Sequence, residues 1–188
     1  MVYHQFQTGS YYHVYNRGNN QENLFREERN YYYFLRLLQK HVNPYAEILA
    51  YCLLKNHFHL LIRICDDVEI KKTSQAFSNF FNAYAKAINK TYGRTGSLFQ
   101  DRFSRRLIED EFYLLQVITY IHRNPVHHKF AEDFTSYRFS SYQLFITQEP
   151  GFVAKDHVLE LFGDLENFLE AHGKDFTVTK DLTGLEDL

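Results

Sequence analysis

Residues 56–63 read NHFHLLIR and set two of the chain's ten histidines, His57 and His59, one residue apart inside an apolar run. On an extended strand successive side chains alternate, so His57 and His59 share one face while Phe58 and Leu60 take the other. Two imidazoles side by side are either ligands for a metal ion or two partly exposed strand residues, and the pair alone does not decide. A second set lies further along, in a segment with helical periodicity. Tyr120 and Asn124 stand four residues apart and share a face there, with Gln116 one turn earlier, while Leu114, Ile118 and Ile121 mark an apolar side. A phenol beside an amide, on a helix anchored by aliphatics, suits a nucleophile as well as it suits a surface decoration.

The elements that must hold these residues can be read in order. YYHVYNRG (11–18) alternates and ends at Gly18, the pattern of a strand. Residues 28–42 place Phe34, Leu35, Leu38 and Val42 at helical spacing before Asn43-Pro44. Two strands, 46–54 and 57–64, flank Lys55-Asn56 as a hairpin. A helix over about 72–92 buries Phe77, Phe80, Phe81, Tyr84 and Ile88, and a strand follows over 102–109. Asp110 caps a helix that Pro125 should stop at Asn124. The series strand, helix, strand, strand, helix, strand, helix predicts an α+β fold: a ferredoxin-like antiparallel sheet with helices on one face. His57 and His59 should lie on a central strand, facing either the start of the 94–106 arginine segment or the helix of Tyr120. Residues 1–149 then form the main domain, and 150–188 an acidic helical C-terminal extension packed on or appended to it.

Composition narrows the partners. The 15 Tyr and 18 Phe, with no Trp, fill a core first and only then offer stacking surfaces for bases. Cys52 and Cys65 have no C-x-x-C spacing and read as small buried hydrophobes of a reduced interior. No apolar run approaches the roughly 18 residues of a membrane span, and no targeting peptide is visible, which predicts a cytoplasmic protein without membrane partners. The net charge of −2 conceals an asymmetry: residues 54–130 carry +5 and residues 131–188 carry −8. An anionic ligand belongs with the middle segment, where Arg94, Arg102, Arg105, Arg106 and Arg123 are the candidate phosphate contacts. His122 points away from Tyr120 and is left out of the metal site. Asn16 and Arg17 could line the site or simply form the turn.

The segments YHVYNRGN, NHFHLLI, YGRTGSLFQDRF, YIHRNPV and YRFSSY occur in this order. As a set, over about Tyr11 to Phe145, the sequence resembles the REP-associated tyrosine transposases, single-strand insertion-sequence transposases of the HUH endonuclease superfamily. The resemblance implies an HUH/transposase-like fold, His57 and His59 as the metal-binding pair, Tyr120 as the nucleophile and Asn124 as the amide completing the metal site. It also implies a divalent ion, Mg²⁺ or Mn²⁺, and single-stranded or hairpin DNA as partner in the bacterial cytoplasm or nucleoid. Monomer and homodimer stay open. The activity implied is nicking and rejoining of DNA through a 5′-phosphotyrosine. Two other readings stand beside it: a domesticated hairpin-binding protein without mobilising activity, and a His-x-His metal hydrolase of a small molecule.

Overall fold

In a computed structural model, residues 5–100, 102–147 and 150–173 are described, so residues 174–188 of the expected extension lie outside the described residues. The alternating run forms β1 (Tyr11–Arg17). Gly18 ends it by necessity, since a Cβ there would lie 1.9 Å from the Glu22 carbonyl oxygen. Helix α1 (Glu28–His41) starts from a capping box formed by Glu27 and Asn30. The hairpin forms as expected, with β2 (Ala46–Leu54) and β3 (His57–Ile64) joined at Lys55-Asn56. Helix α2 (Ile70–Thr91) buries the five residues that its spacing picks out. Strand β4 (Ser104–Ile108) is shorter than 102–109 at both ends. Then come α3 (Glu111–His127), α4 (Tyr142–Ile146), α5 (Lys155–Phe162) and α6 (Leu165–Gly173).

The strands pair antiparallel in the order β2-β3-β1-β4, the ferredoxin-like arrangement. Helices α1 and α2 cover the face that carries Val14, Phe58 and Leu60. Phe34 bridges this layer, with its ring 5.1 Å from Phe58 and 4.8 Å from Phe80. The expectation of helices on one face describes these two crossover helices. Helix α3 lies on the opposite face, where the Tyr120 ring stands 5.8 Å from His59. Strand β3 is therefore covered from both sides, and every residue in it except Arg63 is buried.

Helix α3 departs from expectation at its end. Asp110 caps it as predicted, accepting from the Tyr113 N–H at 2.6 Å, but the helix runs through Pro125 to His127. A proline this near the end costs one hydrogen bond, to the Ile121 carbonyl, and its fixed φ is already helical. The following turn is retained: His128 N–H donates to the Asn124 carbonyl at 2.9 Å, and Phe130 N–H to the Pro125 carbonyl at 2.7 Å.

The chain after α3 returns along the outer edge of β2. Leu53 N–H donates to the Phe139 carbonyl at 2.9 Å, Ser141 N–H to Tyr51 at 2.9 Å, and Ala154 N–H to Ile48 at 2.8 Å. Val158 of α5 and Phe168 of α6 join the same apolar core. A line of hydrogen bonds fastens α6 to α3 and β2. His172 Nδ1 donates to the Phe168 carbonyl at 2.7 Å, so its Nε2 must accept from His122 Nδ1 at 2.8 Å. His122 Nε2 in turn accepts from the Ser141 hydroxyl at 2.8 Å.

Both rings are neutral in this line. Burial, with Arg123 nearby, pulls the His172 pKa down to about 4 against the partial support of the Phe168 carbonyl. Because the folded value lies below the unfolded one of about 6.5, this contribution is intact above pH 6.5 and is lost as pH falls toward 4. Between pH 7 and 5 one such histidine removes about 1–2 kcal/mol. Denaturant unfolding of the chain should therefore lose stability over that interval more steeply than His172→Leu, by about that amount. Equal slopes for the two proteins would show that His172 is not buried neutral.

Candidate functional site

The register of β1 against β3 assembles one face of the sheet. Tyr15 lies opposite His59, Arg17 opposite His57, and His13 opposite Leu61, and residues directly opposite share a face. The rings of Tyr15, His13 and His59 stack in sequence, at 4.9 Å and 5.1 Å. Strand β4 adds Arg106, opposite His13. Helix α3 covers this face with Tyr120, Asn124 and, at its C-cap, His128, each four residues from the last and so on one stripe. Of the two orientations considered for His57 and His59, the structure shows the one toward the helix of Tyr120.

Hydrogen bonds fix how these groups point. Asn56 Oδ1 accepts from His57 Nδ1 at 2.8 Å, which leaves the lone pair on Nε2. His59 Nδ1 lies 3.0 Å from His13 Nε2; with the shared proton on His59, its Nε2 also carries a lone pair. Asn124 Nδ2 donates to the Tyr120 carbonyl at 2.9 Å, turning Oδ1 the other way. His57 Nε2, His59 Nε2 and Asn124 Oδ1 are all buried, and none makes a hydrogen bond.

Electrostatics keep His13, His57 and His59 neutral. Burial takes the His57 pKa to about 3, with His128 and Arg17 adding to the effect. Burial, then the neighbouring histidines, holds His59 well below its usual value, and burial with Arg106 takes His13 to about 3. Neutral rings with inward lone pairs are the form in which histidine binds a metal. Buried acceptors without donors are costly, and a cation would satisfy all three. The residues present therefore fit a divalent ion. His128 extends the set: ligand atoms of His57, His59 and His128 lie within 4.8 Å of one another. Its ring stands 4.7 Å from that of His57. Sequence reasoning missed His128 because it ended the helix at Asn124, and His13 because strand register was needed to set it beside His59; Asn56, next to His57 in the chain, read only as a hairpin residue.

The arginines separate. On β4, Arg106 faces the histidines, whereas Arg105 lies opposite Val14 on the α2 side, 4.3 Å over the Phe6 ring. Arg102 and Arg105 line a cleft of about 640 Å³ with Asn16, Ser74, Asn82 and Phe99. Arg94 is held by Glu22, with Nε to Oε2 at 2.8 Å, and by Asn89 Oδ1 at 2.5 Å. Arg123 donates to the His172 carbonyl at 2.6 Å. Arg17, which the sequence leaves between lining the site and forming the turn, shares the histidine face. His122 lies outside the cluster, bonded to His172 and Ser141.

Comparison with known proteins bears on the family and the fold. A sequence profile described as IS200-like transposase matches residues 6–124, from before β1 through Asn124. A Haemophilus influenzae protein assigned as a REP-associated tyrosine transposase is 28% identical over 103 residues, 51% of this chain and 58% of that protein. The chain thus spans somewhat under three fifths of that relative's length. A solved REP-associated tyrosine transposase bound to a REP hairpin superposes with a TM-score of 0.62 at 16% identity, over 78% of this chain and 84% of the other. That likeness is one of fold. Among the described residues no helix is long and apolar enough to cross a membrane. With more than half of its residues inside the profile, and with the expected strand order around them, the chain belongs to the IS200-like transposase family.

Proposed function

We propose that this chain is a metal-dependent, single-stranded-DNA nicking and joining enzyme that works through a 5′-phosphotyrosine on Tyr120. The observation that carries the reading is the meeting of two unrelated motifs. The stripe Tyr120–Asn124 lies over His57 and His59, and three buried acceptors there lack a donor. His57, His59 and Asn124 would hold a divalent ion, Mg²⁺ or Mn²⁺, and when bound it supplies Lewis-acid charge at the scissile phosphate. Asn56 and His13 orient the two histidine rings, and the Asn124–Tyr120 hydrogen bond orients the amide. The Tyr120 oxygen attacks phosphorus as the bond to the 3′-oxygen breaks. The phenolic proton passes to solvent and the departing oxygen takes one up, so a phosphodiester is exchanged and rejoining needs no nucleoside triphosphate.

The DNA partner is proposed from the relative solved with a REP hairpin and from the charge of residues 54–130. Such a partner places the protein in the compartment of the genome. Arg17 and Arg106 lie on the histidine face and suit the phosphates nearest Tyr120, while Arg102 and Arg105 suit a strand running past the cleft. Arg94 is bonded to Glu22 and Asn89, and Arg123 to the His172 carbonyl. In this reading the chemistry belongs to residues 1–149, and the described part of the extension, residues 150–173, packs against it.

With a labelled hairpin oligonucleotide and Mg²⁺ or Mn²⁺, denaturing electrophoresis should show a protein-linked band. Tyr120→Phe removes only the attacking oxygen and should abolish the band while leaving the fold and hairpin affinity intact. Alanine at both His57 and His59 should abolish it through lost metal, and Asn124→Ala should be milder because water can take the vacated position. Persistence of the band in Tyr120→Phe would remove the nucleophile assignment.

Hairpin affinity should fall with salt, with a log–log slope near −0.7 for each single-strand phosphate neutralised. Alanine at Arg102, Arg105 and Arg106 together should flatten that slope by about two, whereas Arg138→Ala with Lys155→Ala should not change it. If both variants keep the wild-type slope, Arg102, Arg105 and Arg106 lie off the DNA path.

A further inference from the structure

Helix α3 brings a donor to the metal site beyond the two strand histidines and Asn124. Continuing through Pro125, it places His128 one turn after Asn124, with its backbone N–H on the Asn124 carbonyl at 2.9 Å. Tyr120, Asn124 and His128 are thus successive members of one stripe, directed at β3. The His128 ring is edge-on to His57 at 4.7 Å and nearly parallel to His59 at 6.4 Å, 18° between planes. Ligand atoms of the three histidines lie within 4.8 Å of one another, so small side-chain rotations bring them onto one ion with nitrogen bonds of about 2.1 Å.

Resting on the metal site proposed above, we infer that His128 is a further ligand and that it sets which ion the site takes. Two imidazoles and an amide oxygen are a mixed set on which Mg²⁺ can compete. A third imidazole raises nitrogen from two of three protein donors to three of four. Mg²⁺ demands oxygen ligands and keeps its waters, whereas imidazole donors favour first-row transition ions, more strongly from Mn²⁺ toward Co²⁺ and Zn²⁺. With His128 engaged, the choice between Mg²⁺ and Mn²⁺ is narrowed against Mg²⁺, and Co²⁺ and Zn²⁺ bind more tightly than either. The amide oxygen still leaves room in a six-coordinate shell for a phosphate oxygen.

The test is ion binding by the full chain without DNA. Protein stripped with chelator is titrated with Co²⁺, followed by visible absorption, and with Mg²⁺, Mn²⁺ and Zn²⁺, followed by thermal stabilisation. The wild type should respond to Co²⁺ and Zn²⁺ at concentrations at least tenfold lower than to Mg²⁺. His128→Ala should lose tenfold or more in Co²⁺ affinity, with a changed cobalt spectrum, and keep its Mg²⁺ response within twofold. His128→Asp offers oxygen in place of nitrogen and should raise Mg²⁺ affinity relative to Co²⁺, a reversal that a merely structural role for His128 would not produce. Co²⁺ and Mg²⁺ responses unchanged in both variants would overturn the inference while leaving the site of His57 and His59 standing. His57→Ala reads that site separately: if it too binds Co²⁺ as the wild type does, the ion lies elsewhere and the underlying reading falls with it.

Discussion

An imidazole can be buried only as the neutral ring, and each of its nitrogens then needs a partner suited to it, a donor for the lone pair or an acceptor for the proton. Among the described residues, histidines are buried in two places, and the requirement is met differently in each. At His122 and His172 every ring nitrogen is matched, by Ser141, by the other ring and by the Phe168 carbonyl. That pair has no capacity left, and it holds α6 against α3. At His57 and His59 only the Nδ1 side is matched, and the Nε2 atoms face inward without a donor. The contrast separates a fastening, with every nitrogen matched, from a pair that still has lone pairs to offer. It also explains why β1 and β3 must be neighbours: only that pairing sets His13 behind His59.

Much of this was legible before the structure. The hairpin runs and the helix faces follow from periodicity, because Phe77, Phe80, Phe81, Tyr84 and Ile88 have one arrangement that buries them all. The histidine pair and the Tyr120–Asn124 spacing were visible because each is local to one element. What could not be read depends on where elements stop and how they pair. Pro125 looks like a terminator in one dimension, yet near a helix end it removes a single hydrogen bond, and His128 was lost with that turn. The roles of His13 and Arg17 depend on register against β3, which alternation within β1 alone does not supply.

The arginines show the same limit from another side. Counted along the chain, those of 94–106 form one basic segment. On the structure, alternation along β4 sends Arg105 toward α2 and Arg106 toward the histidines, while Arg94 is drawn into an ion pair with Glu22. A strand divides neighbouring charges between two faces by construction, so a charge run on β4 could never have been one patch. A nucleic acid engaging both faces would have to cross the β4 edge of the sheet.

The other edge of the sheet is closed, and that has a consequence for the chain as a material. Strand β2 is long and almost wholly apolar, the kind of strand whose open edge recruits other chains into intermolecular sheets. Part of its edge is occupied by residues 139–141, and the Ile48 end by Val153 and Ala154 of the acidic segment. A chain cut back to residue 149 would keep all of His57, His59, Tyr120 and Asn124 but would uncover the Ile48 end of β2. Its failure would take the form of self-association, dependent on protein concentration, before any loss of the donor set itself. Val153 and Ala154 thus shield the Ile48 end of a strand that would otherwise recruit other chains.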